Sequence, residues 1–175
     1  MPTLVDAVSN ERDALLAFLE AQRGGLRRAA SGLTEEQAAS TPSASSLSLA
    51  VLVRHAARGE QWWVEQLLGG PAASAPANWA DEYRMPEGET LAQWLVRYEE
   101  VAAATEKVIR DLPSLDVDFP LPEAPWFSPN SRRSARWMLL HLIEEVARHA
   151  GHADVIRESL DGKTAFELLY QAQES

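Results

Sequence analysis

The amino-acid sequence predicts an all-α fold, most simply a four-helix bundle with long crossover loops and a short C-terminal helix. Three observations carry this. Four long segments repeat their apolar residues with the 3.6-residue period of an amphipathic helix. The connections between them are rich in Pro, Ser, Asn and Ala. No alternating run is long enough to make a convincing strand, and no repeat stands out.

The first helix is expected over about residues 4–30, with Leu15, Leu16, Phe18, Leu19 and Leu26 on its apolar side. Gly24-Gly25 is its expected weak point, because two glycines cost helix stability. Thr34-Glu35-Glu36-Gln37 reads as a capping box that opens a short helical turn. The second long helix covers about 48–68, through Leu49, Leu52, Val53, Ala56 and Trp63, and Gly69-Gly70-Pro71 stops it. The third covers about 90–112, with Leu91, Trp94, Leu95, Tyr98, Val101 and Val108, and ends at Pro113. The fourth covers about 134–160, with Trp137, Leu140, His141, Glu145, His149 and Ile156 recurring along one side. Asp161-Gly162 closes it, and a tail helix follows over 165–171. The connections 69–88 and 113–133 carry Trp79, Trp126 and Phe127, whose rings are expected to pin these loops to the body.

Composition bounds the function. The 175 residues suit a single domain, 1–175, large enough to close a core without crosslinks. The chain has no cysteine, which excludes disulfides, a zinc ribbon, an iron–sulfur site and a cysteine nucleophile. A net charge of −10 opposes attraction to nucleic acid and to anionic membranes, so neither is expected as a partner. No apolar run approaches the ~20 residues that cross a bilayer. The N-terminus has neither a basic region nor an apolar run of the kind that directs export, so the protein is expected in the cytoplasm, as a monomer or homodimer. Its 14 arginines against 2 lysines, with 28 alanines, are the usage of GC-rich coding DNA.

All four histidines fall in the second and fourth long helices. At about 100° per residue, His141, Glu145, His149 and His152 fall at roughly 0°, 40°, 80° and 20° around the axis, one polar stripe beside Trp137 and Ile156. Polar groups on a bundle-facing side lose their water and need partners. A metal ion answers several of them at once. Glu145 and His149, spaced i, i+4, can grip one ion from a single turn, and His55 from a facing helix completes a two-imidazole, one-carboxylate set with a coordination position left open. Zinc suits this set best, with nickel or iron also tolerated. The purely structural alternative makes His55 and His141 satisfied core residues and Glu145–His149 a helix ion pair. Other chemistries lack their motifs: there is no His-Glu-x-x-His, no Glu-x-x-His pair, no Gly-x-Ser-x-Gly and no phosphate loop. Glu99-Glu100, Arg132-Arg133 and Arg27-Arg28 read as solvated surface.

The stretch Arg136-Trp137-Met138-Leu139-Leu140-His141-Leu142-Ile143-Glu144-Glu145-Val146-Ala147-Arg148-His149-Ala150-Gly151-His152, with Arg157-Glu158 and Asp161-Gly162 after it, resembles the mini-circle branch of the DinB-like superfamily. Leu52-Val53-Arg54-His55 and Glu60-Gln61-Trp62-Trp63 resemble the same branch's second helix. The resemblance implies a bundle of up-up-down-down type with a divalent metal near one end. Many DinB-like proteins use three histidines; here the set departs to His55, Glu145 and His149, similar to the N-terminal domains of mycothiol-dependent maleylpyruvate isomerases. His152 stands where the family usually has Gln and is expected at the rim, touching substrate or moving a proton, while His141 is a weaker candidate for a supporting role. The resemblance thus implies a thiol-dependent S-transferase or isomerase, with mycothiol as cosubstrate and an electrophile as partner substrate. A non-catalytic metal-carrying or stress-response module and a metal-activated hydrolase are the alternatives.

Overall fold

A computed structural model of the chain describes residues 4–69, 83–121 and 127–174. Its elements are α1 (Glu11–Ala30), α2 (Glu35–Ala39), α3 (Leu49–Leu67), α4 (Leu91–Asp111), β1 (Asp118–Pro120), β2 (Arg132–Ser134), α5 (Ala135–Asp161) and α6 (Ala165–Glu174). The all-α fold class read from periodicity stands.

Each helix begins where a short polar side chain can take over an orphaned backbone N–H. Asn10, Thr34, Ser48, Thr90 and Ser134 do this for α1 to α5, and Thr34 and Thr90 form full capping boxes with Gln37 and Gln93. Gly162, at φ 77°, ends α5 in the left-handed conformation that a side chain resists. Gly24-Gly25 does not interrupt α1. A Cβ on Gly25 would lie 3.2 Å from the Ala150 side chain, so the missing side chain is what lets α1 and α5 approach closely. Phe18 and Leu140, read as core-facing, are instead half exposed on the outside of these two helices.

Side chains that cross between helices set their directions. At one end Arg136, at the start of α5, binds Glu11, at the start of α1, through Nε at 2.6 Å. At the other end Arg157 donates to the carbonyls of Ala29 and Ser31 at 2.8 Å each, capping the end of α1. Helices α1 and α5 are therefore parallel. Arg12 donates to the Arg110 and Leu112 carbonyls at 2.9 and 2.8 Å, so the start of α1 meets the end of α4. Helix α3 runs against α5, with His55 beside Glu145 and Trp63 beside Trp137. The order is up-down-down-up, which corrects the up-up-down-down arrangement expected from the resemblance. The connections are long enough that their lengths do not dictate direction. The one that changes ends joins α3 to α4, over the ~28 Å length of a 19-residue helix.

Three-residue β1 and β2 pair antiparallel, Phe119 opposite Arg133, in a connection read as wholly irregular. Strands this short show no alternation in sequence. Phe119 points inward, against Trp63. Phe127 packs on the core as expected, whereas Trp79 and Trp126 lie outside the described residues.

Candidate metal centre

His55 and Glu145 face each other across the α3–α5 interface, and His149 joins them one turn along α5. His55 Nε2 is 3.8 Å from Glu145 Oε1, and His149 Nε2 is 3.5 Å from the same oxygen. One ligand atom from each of the three residues lies within 4.8 Å of the others. Among the described residues, no other group of three His, Asp or Glu side chains comes together in this way. The His55 and His149 rings meet edge to face, with centroids 4.8 Å apart.

The site's electrostatics are those of an unanswered cluster. His149 is 6% exposed, and neither of its ring nitrogens has a hydrogen-bond partner among the described residues. His55 Nδ1 is buried and equally unpaired. Buried polar atoms are normally satisfied, so three orphaned nitrogens around one carboxylate call for a partner that is not part of the chain. The imidazoles of His149 and then His55 hold the Glu145 carboxyl far below its ordinary range, against the opposing effect of its partial burial. Glu145 is thus an anion at any ordinary pH, with two nitrogen donors beside it. A divalent cation of borderline softness fits that donor set: it would take the Nε2 atoms of His55 and His149 and a Glu145 oxygen, and the two Nδ1 atoms would keep no partner among the described residues.

The other two histidines separate. His152 is exposed, its ring 5.8 Å from that of His149, and so sits beside the cluster and outside it. His141, one turn before Glu145, is turned into an aromatic column. It stacks on Trp137 at 5.1 Å, meets Trp63 edge to face at 5.0 Å, and Trp137 in turn carries the Arg133 guanidinium. Its partners are rings, which accounts for its place on the polar stripe without a metal.

Arginines read as solvated have structural work. Arg28 is buried, and Arg27 pairs with Glu20 at 2.9 Å and lies over the Tyr98 ring. Arg132 is exposed as expected and pairs with Asp118 at the surface, and Glu99 and Glu100 are exposed too. Sequence reading missed Tyr83, which stacks on His55 with ring centroids 5.1 Å apart and planes at 23°. It lies in a connection with no periodicity, where no local signal marks it.

Across residues 14–162 the chain matches the family model described as mycothiol-S-transferase. The chain belongs to the mycothiol-S-transferase family. The family is DinB-like, so the resemblance read from the two histidine-bearing helices holds. A crystal structure of a conserved protein from Enterococcus faecalis superposes with a TM-score of 0.60 at 13% identity, covering 89% of this chain and 100% of that one. At that identity the likeness concerns the fold alone. No curated protein matches the chain significantly. The match of this mycothiol-S-transferase family member spans the whole of α3, α4 and α5, and with them His55, Glu145, His149 and His152. No helix of the described residues is long and apolar enough to cross a membrane.

Proposed function

We propose that the protein is a single-domain, divalent-metal-dependent S-transferase or isomerase that joins a low-molecular-weight thiol of the mycothiol type to an electrophilic substrate. His55, Glu145 and His149 hold the metal, with zinc the best fit to the donors. The observation that carries this reading is the buried His149 Nε2, without a hydrogen bond and 3.5 Å from a carboxylate oxygen that His55 Nε2 also approaches. Three protein donors, one fewer than a closed structural site supplies, leave a divalent cation able to accept a ligand from outside the protein. When bound, the cation stabilises the deprotonated form of a coordinating thiol, which makes it a nucleophile at neutral pH.

The chain's own residues do the rest. Glu145 supplies the negative charge that keeps a cation between the two imidazoles, and its side chain, 40% exposed, faces the approach from solvent. His152, exposed beside His149, accepts the proton that the thiol gives up and orients the incoming substrate. The absence of cysteine from the chain is compatible with an enzyme whose sulfur nucleophile comes from a cosubstrate.

The test is a thiol titration of protein substituted with Co²⁺. A sulfur-to-metal charge-transfer band on adding mycothiol, and S-conjugate formation when an electrophile follows, are expected. No spectral response to mycothiol or any small thiol at millimolar concentration contradicts the transferase reading and leaves the metal assignment standing.

A further inference from the structure

Histidines that bind metals usually owe their orientation to a hydrogen bond from the second ring nitrogen to a carboxylate or carbonyl. Among the described residues that device is missing: His55 Nδ1 has no hydrogen-bond partner, and neither has His149 Nδ1. Something else must keep the His55 ring from turning about its side-chain bonds. Among the described residues two rings touch it: His149 edge to face at 4.8 Å, and Tyr83 nearly parallel at 5.1 Å. The His149 contact comes from within the cluster. The Tyr83 contact comes from the connection between α3 and α4, and Tyr83 itself is 49% exposed. A side chain so exposed contributes little to the core, yet its one described ring contact is with a candidate ligand.

We infer that Tyr83 is a positioning residue for the metal centre: its ring, stacked on His55, holds the imidazole with Nε2 aimed at the space shared with Glu145 and His149. This rests on the reading of His55, Glu145 and His149 as metal ligands. Offset-stacked rings attract through their faces and edges, and a flat neighbour at this distance blocks rotation of the imidazole out of line. Reciprocity follows. If the stack strengthens metal binding by some factor, bound metal strengthens the stack by the same factor and ties down the chain around Tyr83. Arg84, exposed and next in sequence, is a tryptic site that reports on this.

The experiment compares Zn²⁺ affinity, by competition with a chromophoric chelator, in wild type, Tyr83→Phe and Tyr83→Ala. Tyr83→Phe keeps the ring and is expected to bind as wild type does. Tyr83→Ala is expected to bind about three- to ten-fold more weakly. The Co²⁺ absorption bands should shift in Tyr83→Ala and not in Tyr83→Phe. Wild-type protein should be cut at Arg84 more slowly with Zn²⁺ than without, and Tyr83→Ala should lose that protection. Wild-type affinity and spectra in Tyr83→Ala, or equal weakening in both variants, overturn the inference while leaving the ligand set intact. A wild type that binds no metal removes the ligand assignment and this inference with it. Because Tyr83 is exposed, Tyr83→Ala folds, and its circular dichroism provides the check.

Discussion

His55 and Glu60 lie five residues apart on α3, about 140° around its axis, and meet opposite fates. Glu60 is completely buried and completely answered. Arg23 grips its carboxylate with Nε, at 2.9 Å, and with Nη2, and Thr105 donates its hydroxyl to the same group. His55 and its neighbour His149 keep buried ring nitrogens with nothing to bind. A buried charge that the chain itself pairs is architecture, here a clamp that fixes α1, α3 and α4 against one another. Several buried ring nitrogens without hydrogen bonds, gathered around one carboxylate, mark a place made for something else in a way that single unpaired atoms elsewhere, such as Arg27 Nε and Gln66 Nε2, do not. The Tyr98 hydroxyl beside Glu60 also lacks a protein partner. Burial, reinforced by the charge of Glu60, pushes that phenol far up and keeps it neutral.

The largest effect that sharpens this contrast falls on the answered side. Glu60→Leu leaves the buried Arg23 charge with only the partly exposed Glu20, 3.2 Å away, and should cost about 3 kcal/mol in urea denaturation. Adding Arg23→Met should recover most of that loss, because the clamp's worth lies in the pairing. A cost below about 1 kcal/mol for the single change would break the architectural half of the comparison. On the other side the pattern inverts. Glu145→Gln preserves shape and should lower the urea midpoint of metal-free protein only modestly, yet remove tight metal binding by calorimetry. Next in size, His152→Ala should keep metal affinity and lower S-transfer turnover by about 10²-fold, the low end for a proton-transfer group. His141→Phe should change neither, since rings surround it.

The smallest effect is one of pH. The Glu145 carboxyl is held below its ordinary 4.5 in the folded protein, so metal-free protein gains stability from it at pH above that value. The gain is lost as pH falls below 4.5 toward the folded value. Wild type and Glu145→Gln should therefore differ in stability most at neutral pH and converge as the solution is acidified. The difference is modest, because the carboxylate is partly solvated.

Much of this was legible in the residues. The starts of α3, α4 and α5 followed from amphipathic runs opening at Ser48, Thr90 and Ser134, whereas α1, expected from about residue 4, begins only at Glu11 behind the Asn10 cap. The cluster followed from the i, i+4 spacing of Glu145 and His149, since one turn of helix places them together whatever the tertiary fold. What stayed hidden depended on tertiary approach. Gly25 looked like a weak point because only the contact with Ala150 explains it. Arg23 and Glu60 look like surface residues until three helices enclose them. The helix directions were hidden because a connection as long as 68–90 permits either sense. Tyr83 reaches His55 through that same connection.

The most direct test of the central claim, that the orphaned nitrogens and the anion beside them form a metal centre, is metal stoichiometry. Untagged protein, stripped with chelator and dialysed to equilibrium against Zn²⁺, is analysed beside His55→Ala and His149→Ala. The account predicts one tightly held ion per chain in the wild type and none in either variant. A wild type that retains no stoichiometric zinc, nickel or iron, or a His149→Ala protein that retains a full complement, would contradict it.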